Sequence, residues 1–266
     1  MTLSSTQKYI IRGFEITVDV NYERSIGIYG ETFWEGVADE SYETVTFKFI
    51  EKIQKDGFEY FLDIGAATGC MSLYAASMDL TVVAVEPQEL VYSALMKNIE
   101  LNGSISDKIS VDYALVSAST DKSAVSKSFT PGAQGPLASI ALSSKTVTLR
   151  ELLEQFPEDA MVGVKIDIEG AEFPLFSDKS TIDYLVNRKP LIFIALHPGF
   201  KKSLPGNATF ISTLLWRIQA SQDVAKFYFK LSRVCEIYVA SSYSPVGFFK
   251  LMLALWGDEK DYVLRF

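Results

Sequence analysis

One short apolar run carries three charges on alternate residues. In Val164-Lys165-Ile166-Asp167-Ile168-Glu169-Gly170-Ala171-Glu172 the residues Lys165, Asp167 and Glu169 alternate with Ile166 and Ile168. An extended backbone puts the three on one face. Burying charge without a partner is costly, so the trio reads as a site, or as a strand-end salt bridge of Lys165 with Asp167 or Glu169. A side chain within hydrogen-bond reach of a reacting hydroxyl can act as its general base. The catalytic candidates are therefore Asp167, Glu169 and His197, the single histidine of the chain. An imidazole titrating near pH ~6.5 suits proton transfer; the competing role for His197 is a structural hydrogen bond. Glu169 and Glu172 could instead bind substrate hydroxyls or orient Lys165. Carboxylates also suit Mg²⁺, which Asp167 and Glu169 could grip, but few further ligands stand nearby and no metal is expected.

A second motif is Phe61-Leu62-Asp63-Ile64-Gly65-Ala66-Ala67-Thr68-Gly69. Glycines between a strand and a helix let the backbone turn tightly and approach a ligand, and the helix start offers free N–H groups. The spacing is G-x-x-x-G. The dinucleotide fingerprint G-x-G-x-x-G, whose middle glycine meets pyrophosphate, is missing. Asp63 before the turn suits a cationic amino-acid end better than a diphosphate. Glu86 follows 23 residues later, at the end of the next apolar run, where an acid can accept both ribose hydroxyls. A nucleoside joined to an amino acid satisfies both ends, and S-adenosylmethionine (SAM) is such a ligand. The competing reading is an ordinary turn followed by a solvated acid. Cys70, with no basic neighbour in sequence, reads as a small helix-start residue.

These residues need a scaffold that gathers strand ends. Phe58–Ile64, Leu80–Val85, Ile109–Val116, Met161–Ile168 and Leu191–Leu196 read as apolar strands. Cys70–Met78, Gln88–Leu101 (with Pro87 in its first turn) and Thr148–Phe156 read as helices between them. Wholly apolar strands alternating with helices indicate a parallel sheet covered on both faces, an α/β fold. Right-handed crossovers then bring every strand's C-terminal end to one edge. Tyr9–Val20 and Ile26–Tyr29 read as a strand pair, and 41–55 as a helix capped by Ser41. Asn207–Ala220 reads as a helix, Phe227–Leu231 and Cys235–Ala240 as strand-like, and Tyr262–Phe266 as an edge strand. Residues 117–145, rich in Ser, Thr, Gly and Pro, read as a long loop that shapes the acceptor side. No linker divides the chain: 1–57 reads as an extension, 58–200 as the core and 201–266 as the completion of one domain.

The 266 residues are 48% hydrophobic and 22% charged, a globular composition. A formal net charge of −8 argues against nucleic acid, which needs a basic patch. Two cysteines make no disulfide framework, and with one histidine a Cys/His zinc site is not expected. The polar N-terminus lacks a secretory pattern, and the apolar stretch at 248–256 is too short to span a bilayer. The expectation is a cytoplasmic protein with a small-molecule or carbohydrate partner, no membrane and an open oligomeric state.

The pair LDIGAATG and KIDIEGAE resembles the FkbM family of SAM-dependent methyltransferases, and the second motif is that family's hallmark. Residues 82–103, VDYALVS at 111–117 and LHPG at 196–199 resemble it too, so the likeness spans about 58–200. Two positions depart: Ala67 stands where the family often has Asn, and Arg150 where it often has an acid. The resemblance implies a Rossmann-like class I methyltransferase fold with a mostly parallel sheet and antiparallel C-terminal strands. It implies methyl transfer to a hydroxyl, often on a sugar or natural-product scaffold, with S-adenosylhomocysteine (SAH) as product. Carried over, Asp63, Gly65, Ala66 and Gly69 would hold the methionine part, Glu86 the ribose, Pro87, Tyr113 and Ala114 the adenine surroundings, and Asp167 would adjoin the cofactor. The alternatives are a nucleotide-cofactor oxidoreductase on the same fold and a non-catalytic SAM-binding module.

Overall fold

The computed structural model describes residues 6–118, 143, 145–168, 172–197, 210–254 and 261–266, with backbone alone for 210–220 and 252–254. The chain opens with the hairpin β1 (Gln7–Ile11) and β2 (Phe14–Val18), then α1 (Val20–Ser25), α2 (Glu31–Ala38) and α3 (Thr44–Lys55). The core follows as β3 (Tyr60–Ile64), α4 (Cys70–Ser77), β4 (Thr81–Val85), α5 (Glu89–Leu101), β5 (Ile109–Asp112), β6 (Leu115–Val116), β7 (Thr146–Val147), α6 (Leu149–Leu153) and β8 (Val162–Ile166). It ends with α7 (Glu172–Leu175), α8 (Lys179–Arg188), β9 (Leu191–Ala195), α9 (Phe210–Leu231), β10 (Glu236–Val239), β11 (Ser244–Pro245), α10 (Phe248–Ala254) and β12 (Asp261–Arg265).

Eight strands form the main sheet in the order β11-β10-β12-β9-β8-β3-β4-β5. From β5 to β9 all neighbours are parallel; β12 runs antiparallel to both β9 and β10. The chain steps outward from β3 to β5, then crosses back to β8 on the other side of β3. The sheet order therefore reverses between β3 and β8, and a crevice opens outside their C-terminal ends, the usual ligand position in such sheets. This is the α/β architecture expected from the sequence, a mostly parallel sheet with antiparallel strands at its C-terminal side.

Strand alternation splits the core. Leu62, Ile64, Val164, Ile166, Ile192 and Ile194 face a layer that includes Leu152, Leu185 and Phe227. Phe61, Val82, Ala84 and Phe193 face the other layer, with α3, α4 and the N-terminal hairpin. Two buried faces explain why the core strands lack polar alternation.

Several elements differ from the sequence reading. The first strand breaks at Arg12 and Gly13, both with positive φ (47° and 93°), in a two-residue hairpin. Residues 20–25 are then helical, capped by the Asp19 side chain on Tyr22 N–H, so the hairpin lies within 7–18 and Ile26–Tyr29 is no strand. Helix α3 starts after Glu43, not at Ser41, whose hydroxyl donates to Gly36 O. Pro87 stands outside α5, where Gln88 takes the cap position. The strand at 109 stops at Asp112; Leu115–Val116 leave the main sheet to pair with Thr146–Val147. Phe227–Leu231 close the 22-residue α9. The last strand is not an edge but lies between β9 and β10. Most of the 117–145 loop lies outside the described residues.

Candidate functional site

The glycine turn is built by close packing. Gly65 (φ 80°) and Gly69 (φ 94°) are left-handed. A Cβ on Gly65 would collide with the carbonyl oxygen of Asp167, so the turn after β3 meets the end of β8 backbone to backbone. Asp167 N–H donates to Ile64 O at 3.1 Å, and Gly65 and Ala66 N–H both donate to Val85 O. The ends of β3, β4 and β8 are thereby tied into one rim.

Glu86 follows β4 and is buried, 5% exposed. Its Oε2 accepts from Ala67 N–H at 3.1 Å and its Oε1 from Gln88 N–H at 2.9 Å. Burial pushes its pKa up to about 7, against the pull of those two donors. The acid is thus held against the left-handed turn, facing the same crevice.

Asp63 is fully buried beneath that rim. Its Oδ2 accepts from Ser72 Oγ at 2.7 Å, and its Oδ1 pairs with Lys165 Nζ at 3.2 Å. Lys165 also donates to Gly65 O at 3.0 Å. Burial alone would lower the lysine pKa; Asp63, Asp167 and Glu43 override it and hold it above the ordinary value. Among the described residues the lysine's ion-pair partner is thus Asp63, its register neighbour across β3 and β8, and not Asp167, one of the two partners the sequence offered. Asp63 and Lys165 brace the turn from inside.

Asp167 and His197 follow β8 and β9. His197 Nε2 lies 3.7 Å from Asp167 Oδ1, and His197 Nδ1 lies 2.9 Å from Glu172 Oε1. The three side chains bring donor atoms within 4.8 Å of one another, a set that could also surround a cation. Glu172 was named in the sequence, but its contact with His197 was not foreseen. Glu169, the third catalytic candidate, lies outside the described residues.

Residues 63–206 match the family model of the methyltransferase FkbM domain. The chain belongs to that family. No curated protein sequence matches it. Among solved structures it is similar to an O-methyltransferase from Bacillus cereus in complex with SAH, at 13% identity over 92% of this chain and 94% of that one, TM-score 0.44. The O-methyltransferase TomG from Streptomyces achromogenes, involved in tomaymycin synthesis and in complex with SAM, is 9% identical over 92% and 86% of the two chains, TM-score 0.44. SAH-bound methyltransferase PaMTH1 from Podospora anserina is 12% identical over 82% and 75%, TM-score 0.44.

In this FkbM-family chain Ala67 has φ 50°, a conformation that Asn tolerates better than Ala. Near Glu86, Tyr113 packs on Tyr92 with centroids 5.0 Å apart and the rings tilted by 34°, and Ala114 is buried. Ser143 joins that neighbourhood from the end of the long loop: its N–H donates to Pro87 O and its hydroxyl to Tyr113 O, both at 2.8 Å. Burial pushes the Cys70 thiol well up, as an inert helix-start residue requires.

Tyr29 was missed. It is half-exposed and packs on Phe33 at 4.2 Å. Partial loss of hydration, then the negative charge of Tyr42, Asp167 and Glu86, push its phenol pKa up. Phe33 bridges Tyr29 and Trp34, and Trp34 is core, its indole donating to buried Glu23. The sequence signal was a run of aromatics ahead of the core; which one would meet the crevice depends on how the extension docks. Among the described residues no helix is long and apolar enough to cross a membrane.

Proposed function

We propose that the chain transfers the methyl group of SAM to a hydroxyl on a sugar, glycan or natural-product-like small molecule. The observation that carries this reading is the meeting of three features on one sheet edge: the left-handed turn at Gly65–Gly69, the buried acid Glu86, and the pair Asp167 and His197. The residues fit the cofactor. A Gly65 side chain would push apart the ends of β3 and β8, Glu86 offers acceptors for ribose hydroxyls, and Pro87 and Tyr113, both part-exposed, offer surface for a base, whereas Ala114 is fully buried and can only back that surface. Asp63, tied to Lys165 and Ser72, supports the methionine end by shaping the turn.

When bound, SAM supplies a methyl group already activated on a sulfonium, so positioning contributes much of the rate, on the order of 7–11 kcal/mol in favourable cases. The chain's own residues provide the proton chemistry. His197 Nε2 takes the hydroxyl proton and Asp167 holds the hydroxyl beside it, a role worth roughly 10²–10⁴-fold. The acidic edge favours neutral acceptors over anionic polymers.

Calorimetry with SAH tests the cofactor. Wild type should bind, and Glu86→Ala should weaken binding at least tenfold. Thermal stabilisation by NAD(P) and not by SAM or SAH would replace this reading with an oxidoreductase.

A further inference from the structure

We infer that Glu172 is a positioning residue: it holds the His197 ring by Nδ1 so that Nε2 faces the crevice beside Asp167. The inference rests on the methyltransferase reading for its purpose, but not for its geometry.

The three side chains grade from interior to surface. Glu172 is 0% exposed, His197 4% and Asp167 28%. Glu172 opens α7, which is pinned into the core by Leu175 and by Phe173 against Phe227 at 5.6 Å. Its carboxyl therefore has a fixed place. Oε1 accepts the Ile168 N–H at 3.4 Å as well as contacting Nδ1 at 2.9 Å. An oxygen already accepting from the backbone takes a further hydrogen from the ring, so the proton sits on Nδ1. In the neutral ring Nε2 is then the basic nitrogen.

At 3.7 Å, Nε2 and Asp167 Oδ1 are too far apart to bond each other directly. A hydroxyl oxygen placed about 2.8 Å from each would bridge them. An acceptor hydroxyl there gives its proton to Nε2 while Asp167 orients it. Bound SAM would supply the methyl group, its sulfur leaving with the carbon–sulfur electron pair as the oxygen–carbon bond forms. The proton ends on the imidazole. Glu172, on the far nitrogen, stabilises the imidazolium that results. A histidine held only for structure would gain nothing from directing Nε2 to the more exposed carboxylate.

The chain contains one histidine, so protein labelled with ¹⁵N-histidine gives one pair of ring nitrogens. At a pH where the ring is neutral, wild type should show the Nδ1–H tautomer. Glu172→Leu should lose that signature, and Glu172→Gln, whose carbonyl can accept the same hydrogen, should keep it. An Nε2–H tautomer in wild type overturns the proposal even if the variants fail to fold. So does an Nδ1–H signature that survives in Glu172→Leu. Selective broadening of the ring signals by added Mn²⁺ would place a cation where the hydroxyl is proposed, and would also overturn it. SAH calorimetry on wild type separates the two readings: no SAH binding sinks the methyltransferase assignment and leaves the tautomer result standing.

Discussion

Glu86 shows how a single buried acid links stability to ligand binding. Its folded pKa is raised from 4.5 to about 7. Between those values the folded chain keeps a proton that the unfolded chain has released. The stability this group contributes is therefore full below about 4.5 and declines as pH rises through about 7. Urea melts of wild type and Glu86→Gln across this range should diverge, with only wild type carrying the decline; parallel curves would refute it. Under the proposed role of Glu86 as ribose acceptor, its ionised form takes the hydroxyl hydrogens better, and wild-type SAH affinity should rise over the same window. The acid itself was legible from its place after an apolar run. Its two backbone donors, Ala67 and Gln88, were not, because they depend on how the turn folds back over the strand end. The Asp63–Lys165 pair was hidden for a related reason: its partners are 102 residues apart, and their contact follows from strand register.

At the scale of elements, the turn between β3 and α4 stores local strain at one non-glycine position. Ala67 sits at φ 50° with its N–H committed to Glu86. An L-residue with a Cβ loses roughly 1–2 kcal/mol in that region, while glycine costs some entropy in the unfolded chain. Ala67→Gly should therefore stabilise the protein by about 0.5–1 kcal/mol, read as a higher urea midpoint with unchanged slope. A lower midpoint would show that the Ala67 methyl group's packing against the Ile28–Val91 cluster matters more. The parallel strands and the helices between them were readable because two-sided burial leaves continuous apolar runs. The C-terminal third was harder. Phe227–Leu231 has a strand-like composition, yet Phe227 and Leu231 lie four apart on one buried helix face.

Across the whole molecule, the N-terminal extension is joined to the core by buried polar groups as well as apolar packing. Asn98 on α5 accepts from Asp19 N–H at 3.0 Å and donates to both Glu23 Oε1 and Thr68 O at 3.0 Å. Glu23, pushed up in pKa by burial, also accepts from Trp34 and from Gly30 N–H. One amide thus ties the extension that carries Tyr29 to the turn that shapes the crevice. Asn98→Ala removes a partner from all three of these buried groups, and each one left unsatisfied costs about 1–3 kcal/mol. The variant should lose on the order of 2–4 kcal/mol in chemical denaturation and bind SAH more weakly; a loss under about 0.5 kcal/mol would mean the amide is dispensable. None of this was visible in sequence, where Asp19, Glu23 and Asn98 are up to 79 residues apart and no spacing links them. The strand order has a consequence for synthesis. Because β12 inserts between β9 and β10, which precede it, a chain emerging from the ribosome cannot close its sheet until residue 265 is out. During that interval Ile192, Phe193 and Ile194 stand on an open strand edge, a template for pairing with other nascent chains, and the time when a chaperone matters most.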